Sequence, residues 1–145
     1  MRLRELHVRY ALLDVPIVRS PLAGPGDAAR LLFSLLNTEC AEVFGAILLD
    51  TKHHVLAWAE VGRGGIHSVH VEPREVFRAA LLGNAATVVL GHNHPSGDPH
   101  PSPDDVDVTR RMVSAGLLVG VEVADHIIVG NGTAKYYSFK ETGVL

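Results

Sequence analysis

The sequence predicts an α/β fold, a mixed β-sheet with helices packed against it, and three observations carry that prediction. Short, largely apolar runs recur at 41–49, 55–61 and 86–90, each the length of a strand, and the last is rich in β-branched residues. Between them lie segments with helical apolar spacing, 28–36 and 74–82, the second led by Pro73 and closed by Gly83. The 145 residues, 47% apolar and 20% charged, suit one globular domain over 1–145, large enough for a core that needs no disulfide or structural metal.

Taken in order, residues 2–13 alternate loosely between apolar and charged, and predict a first strand through Leu3, Leu6, Val8 and Tyr10. His7 then falls at an exposed strand position. Residues 16–26 hold three prolines and two glycines and form a loop rather than a domain linker, because the preceding stretch is too short to fold alone. Asp27 is placed as the N-cap of a helix carrying Ala28, Ala29, Leu31, Leu32, Leu35 and Leu36 and ending near Asn37. The runs 41–49 and 55–61 flank a turn at 50–53, which holds His53 beside His54, and so read as a hairpin. Gly62-Arg63-Gly64-Gly65 connects to a further strand at 66–71, and the helix from Pro73 leads to the buried strand 86–90. Ser102-Pro103 opens another helix, carrying Val106, Val108, Met112 and Val113 and ending at Gly116. Strands at 118–123 and 126–129, a tight Gly130-Asn131-Gly132 turn and a last strand at 136–139 complete the chain.

Composition narrows the partners. The net charge of −3, without a cluster of lysine and arginine to track a phosphate backbone, makes nucleic acid a poor default partner. A single cysteine, Cys40, supports no disulfide framework and suits a reducing compartment; as a residue type it belongs more often to the core than to a catalytic site. The first residues lack the apolar core of a signal peptide, and no apolar run approaches membrane-spanning length, so a cytoplasmic protein without membrane contact is expected.

The chemistry gathers between Gly91 and Asp105. His92 and His94 lie two apart on the extended end of a strand, where side chains i and i+2 share a side, and can therefore share one metal ion. Asp105 follows in the first turn of the next helix. Two imidazoles and a carboxylate make the protein ligand set of a catalytic zinc, which keeps one position open, whereas a structural zinc usually takes sulfur as well and Cys40 lies far back in the chain. Such a site also needs a base, which must come from elsewhere. Other readings stay open at this point. Ser102-x-x-Asp105 is also a helix capping box, and a histidine pair can be a solvated loop. His67 and His70 could form a second metal site or be plain surface residues. Asp98 and Asp104 are turn and helix-start residues or partners that orient a ligand. Asp125 and His126 could pair near the site, or His126 could be a satisfied strand-end histidine. No Cys-x-x-Cys supports the zinc set of a deaminase.

The spacing His-x-His, seven residues, Ser-x-x-Asp, borne by His92, His94, Ser102 and Asp105, resembles the JAMM (MPN+) metalloprotease motif, and Glu42-Val43-Phe44-Gly45 is similar to that family's upstream glutamate segment. Within the family the likeness is to the RadC-type JAB domain. It runs through residues 92–99, Pro73-Arg74-Glu75-Val76-Phe77, residues 48–52 and residues 125–130, and covers about 38–140. The resemblance implies a JAB1/MPN fold, cytidine-deaminase-like in outline. It further implies Zn2+ held by His92, His94 and Asp105, Glu42 as general acid/base, and Ser102 as a donor to the oxyanion. Two departures stand out. The 37 residues before the match do not accommodate the family's helix-hairpin-helix region, so a stand-alone JAB domain is expected, with a weaker link to DNA. Glu72 stands where the family often has a histidine.

The expected function is a zinc-dependent metallohydrolase, a peptidase or isopeptidase using a zinc-activated water with Glu42 as base and a protein or peptide as substrate. The alternative is a RadC-like, DNA-repair-associated binding module without robust hydrolysis. A metal-dependent nuclease or phosphoesterase is disfavoured, because neither a second metal's ligands nor a basic surface is evident. Homo-oligomerisation is left open.

Overall fold

Val43–Leu49 is apolar or glycine at every position, as a strand covered on both faces must be, and all seven residues are buried. The structure, a computed structural model, describes residues 1–15, 20–64 and 70–145. Its elements are α1 (Pro25–Leu36), β1 (Val43–Leu49), β2 (Val55–Arg63), α2 (Pro73–Leu82), β3 (Thr87–His94), α3 (Pro103–Val119), β4 (Glu122–Gly130) and β5 (Tyr136–Ser138). Alternation along β1 sends Phe44, Ala46 and Leu48 to one face, against Val76, Phe77 and Ala80 of α2 and Met112 of α3. Val43, Ile47 and Leu49 go to the other, against Ala28, Ala29, Leu32 and Leu36 of α1. The sheet runs β2-β1-β3-β4-β5. Only β3 and β4 are parallel, and α3 makes the crossover that parallel neighbours require. This is the mixed sheet flanked by helices that the sequence predicts, with the architecture of a JAB/MPN fold.

Several elements differ from expectation, each for a local reason. Residues 1–15 form no strand: Leu3, Leu6 and Leu12 stay exposed, because the broken alternation offers no single face to bury, and the segment is tied down at Tyr10, whose hydroxyl donates to the Gly83 carbonyl at 2.6 Å. The first helix starts before Asp27, with Gly24 as N-cap and Pro25 in the first turn, where a missing N–H does no harm. Asp27 instead accepts from the Ala23 N–H at 2.8 Å. Gly116 does not end α3; it is a contact point, since a Cβ there would collide with the Val121 carbonyl and press on the Phe77 ring at 3.3 Å. The helix runs on to Val119 and closes on Gly120, which takes the left-handed conformation at φ +77°. The strand expected from 118 therefore begins only at Glu122, and its last residues join the segment expected at 126–129 in the single strand β4. Cys40 is exposed rather than in the core. Of the strand expected at 66–71, residues 66–69 lie outside the described residues, as do 16–19 of the first loop; Val71 is buried but in no strand. Among the described residues no helix is long and apolar enough to cross a membrane.

Candidate metal centre

Strand β3 changes character halfway. Thr87–Leu90 fills the core; Gly91-His92-Asn93-His94 continues the same buried strand with polar side chains. Gly91 lets α1 lie close, since a Cβ would meet the Leu32 side chain at 2.5 Å. Alternation turns His92 and His94 to the face of α2 and α3, and Asn93 to the opposite face. After His94 the chain turns through Gly97, at φ +89°, whose N–H donates to the His94 carbonyl at 3.0 Å. The same carbonyl accepts from Asn131 at 3.1 Å, anchoring the loop to the end of β4.

Helix α3 then opens with a complete capping box: the Asp105 N–H donates to Ser102 Oγ at 3.1 Å, and the Ser102 N–H to Asp105 Oδ2 at 2.8 Å. The cap does not compete with the site, because one carboxylate does both jobs. Asp105 Oδ1 lies 3.3 Å from His92 Nε2, and Asp105 Oδ2 lies 3.3 Å from His94 Nε2. Glu42 arrives through the sheet register, which pairs Phe44 with His92 and places Glu42, two residues earlier, on the same face. Its Oε1 is 3.6 Å from His92 Nε2. Asn93 holds the backbone on either side of it, accepting from the Val43 N–H at 2.7 Å and donating to the Ala41 carbonyl at 3.0 Å.

Glu42, His92, His94 and Asp105 thus bring one ligand atom each within 4.8 Å of one another. The outer nitrogens explain why the inner ones can bind a metal. His94 Nδ1 lies 2.8 Å from the Asp98 carbonyl, which can only accept, so Nδ1 carries the hydrogen and the Nε2 lone pair of the neutral ring faces the centre. His92 Nδ1 is likewise engaged, at 2.8 Å from His126 Nε2. The two inner nitrogens approach to 3.1 Å, and two carboxylates face them. Acceptors that converge in this way fit a cation. A proton answers the same demand. Burial alone would raise the Asp105 carboxyl, but the imidazoles of His92 and His94 beside it override that and hold the group well below the usual carboxylate range. Burial opposes charge on His94, yet Asp105, the Asp98 carbonyl and Glu42 outweigh it and raise its pKa.

The remaining candidates separate cleanly. Asp98 serves through its backbone; its carboxylate accepts from the His100 N–H at 3.0 Å, away from the ligands. Asp104 is an exposed residue of the first helical turn. Asp125 and His126 do not pair through their side chains. The Asp125 carboxylate accepts from the His126 and Lys140 backbone N–H groups at 2.7 and 3.0 Å and from the Ser138 hydroxyl at 2.6 Å, while burial pushes its pKa up despite these bonds. His126 is instead wholly buried, with its ring against His92, and burial pushes its pKa well down. Of the second histidine pair, His67 lies outside the described residues, and His70 contacts Glu72 at 3.0 Å. Sequence reasoning missed Asn93 and Thr109 as parts of this neighbourhood; the alternation of β3 hints at the first, and nothing local marks the second.

Known proteins resemble this chain in sequence over most of its length. A UPF0758 protein of Desulfitobacterium hafniense is 42% identical over 137 residues, covering 94% of this chain and 60% of the relative. One of Clostridium perfringens is 39% identical over 141 residues, covering 97% and 60%, and one of Shouchella clausii is 43% identical over 130 residues, covering 90% and 56%. The chain therefore spans about 60% of the length of these relatives. The RadC-like JAB domain family model matches residues 22–144, farther toward the N-terminus than the 38–140 read from motifs, and so takes in α1 as well as the candidate metal ligands. A match over most of the chain, with the histidines and acids of the motif drawn to one point in the fold, places this protein in the RadC-like JAB domain family.

Proposed function

We propose that the protein is a zinc-dependent hydrolase of the peptidase or isopeptidase type. The observation that carries this reading is the convergence of Glu42 on His92, His94 and Asp105. Two imidazoles and a carboxylate are the ligand set in which zinc, when bound, supplies a Lewis acid and lowers the pKa of water toward roughly 7. The three would hold the metal. Glu42, reached through the register rather than through the metal loop, would take the proton of the attacking water and hand it to the leaving nitrogen; its side chain is 24% exposed, open enough to meet both. Ser102 Oγ accepts at the helix cap and keeps its own hydroxyl hydrogen, which would donate a hydrogen bond to the carbonyl oxygen as negative charge develops there.

An amide is the substrate class that uses all of these roles, because its nitrogen leaves only once protonated. Phosphodiester cleavage is less well served: the described residues form a single such cluster, and the net charge of −3 offers little to a phosphate backbone. We place the substrate among proteins or peptides, and the protein in the cytosol, where an exposed thiol such as Cys40 stays reduced.

The test compares the zinc-loaded protein with Glu42→Gln on peptide and isopeptide substrates. The variant should keep its metal and lose roughly 10²–10⁴-fold in hydrolysis, the scale of a missing general base. Undiminished hydrolysis by Glu42→Gln would defeat the mechanism. Tight, steeply salt-dependent DNA binding without hydrolysis would favour a DNA-repair-associated binding module instead.

A further inference from the structure

We propose that Thr109 and His126 are positioning residues that set the tautomer of His92 and thereby keep its metal-facing nitrogen free of hydrogen. The inference rests on the metal site, and not on the hydrolysis assigned to it.

The argument follows hydrogens through three contacts. Thr109 Oγ1 lies 2.6 Å from the Asp105 carbonyl, one helical turn back. A carbonyl cannot donate, so the hydroxyl hydrogen points there. Thr109 Oγ1 also lies 2.6 Å from His126 Nδ1, and with its one hydrogen committed it can only accept, so His126 carries hydrogen on Nδ1. Nε2 of that neutral ring is then bare, and it faces His92 Nδ1 at 2.8 Å. One hydrogen must fill that gap, and it must come from His92. His92 is therefore the Nδ1–H tautomer, with the Nε2 lone pair directed at His94, Asp105 and Glu42.

Burial makes the relay strict. Thr109 is 1% exposed, and His92 and His126 are 0% exposed, so water is not at hand to replace a lost partner. The His126 ring is fixed between Phe139, stacked at 4.8 Å and 7°, and the edge of Phe44 at 5.4 Å. The relay begins at the backbone of one metal ligand, Asp105, and ends on the ring of another, His92. It thus ties β3, β4 and α3 together around the site.

The reverse polarity shows what the hydroxyl contributes. Without it, the His126 Nδ1 hydrogen is buried with no acceptor, and the ring favours Nε2–H. That hydrogen faces His92 Nδ1 and drives the His92 hydrogen onto Nε2, where a metal would bind. Thr109→Val keeps the shape and removes only the hydroxyl. In metal-free protein, at a pH where both rings are neutral, long-range ¹H–¹⁵N correlation spectra should show Nδ1–H for His92 and His126, and Nε2–H for both in Thr109→Val. Zinc affinity, measured by chelator competition, should fall by roughly 10–100-fold in Thr109→Val, the usual effect of losing an outer partner of a metal ligand. Thr109→Ser should restore tautomers and affinity together. Wild-type His92 found as Nε2–H would overturn the proposal, even if Thr109→Val failed to fold. So would a folded Thr109→Val with unchanged tautomers or unchanged affinity. If zinc uptake fails in the wild type too, the metal reading falls, and the spectra alone still decide the relay.

Discussion

Two acidic clusters in this protein show why counting carboxylates does not find a site. At the end of β2, Arg63 sits between Glu39 and Glu60, with nitrogen to oxygen distances of 2.6 Å to each. At the end of β3, Glu42 and Asp105 face two imidazoles and, among the described residues, make no ion pair with a lysine or arginine. The first cluster carries its own permanent cation and lies half in solvent, so its charges are already satisfied. The second offers lone pairs on a strand whose histidine is completely buried, and a proton or a metal ion must satisfy them. Placement of a cation, rather than the number of acids, separates a surface ion pair from a cluster that could hold a metal ion.

The comparison breaks first at the ligands. Asp105→Asn, His92→Ala or His94→Ala should each abolish stoichiometric zinc uptake, because each removes one of three strong donors. Elemental analysis after gel filtration reads this directly, and a variant that retains full zinc would show that the cluster is not the site.

Ser102→Ala sharpens the contrast between holding a metal and using it. Zinc should stay, turnover should fall by about 10²–10³-fold if the hydroxyl serves the oxyanion, and loss of the cap should cost on the order of 1 kcal/mol of stability. Turnover and melting temperature on the same preparation separate these roles: a stability loss with unchanged rate leaves Ser102 as a cap alone.

Acidity should affect the metal centre and spare the ion pair. His94 must shed its proton before it can ligate, and although burial opposes charge there, Asp105, the Asp98 carbonyl and Glu42 raise its pKa. The sign follows. Zinc affinity is full above that raised pKa and falls by about tenfold for each pH unit below it, starting higher than the roughly 6.5 of an ordinary histidine. Competition titrations across neutral pH measure this, and an affinity flat through that range would show that protons do not compete at His94.

Smallest of all should be Arg63→Ala. An exposed ion pair is screened by solvent and salt, so melting temperature should move little and zinc uptake not at all. A loss of zinc in this variant would show that the two clusters are coupled, and that the contrast between them is too sharp.

Local pattern made much of this legible. The two-sided apolar run of β1, the proline-led starts of α2 and α3 and the Gly83 stop of α2 read directly from spacing. Gly116 and the residues of 2–13 misled because a glycine can mark a close contact as well as a helix end, and a loose alternation forms a strand only where a sheet edge accepts it. In the site, His92, His94, Ser102 and Asp105 fall within one strand–turn–helix segment, where period and capping determine direction.

By itself the sequence determined which residues share a face over short stretches, because strand and helix periods are properties of the local backbone. It placed two imidazoles on one side of β3 and a carboxylate in the first turn of α3. Tertiary structure alone decided what meets them. Glu42 reaches His92, fifty residues on in the chain, because β1 pairs with β3 in the register Phe44 to His92, and Asn93 secures the backbone on both sides of Glu42. His126 reaches His92 because β4 lies parallel beside β3, and Thr109 meets His126 because α3 crosses over the pair. Register and crossover depend on how whole faces pack, so no window of sequence contains them.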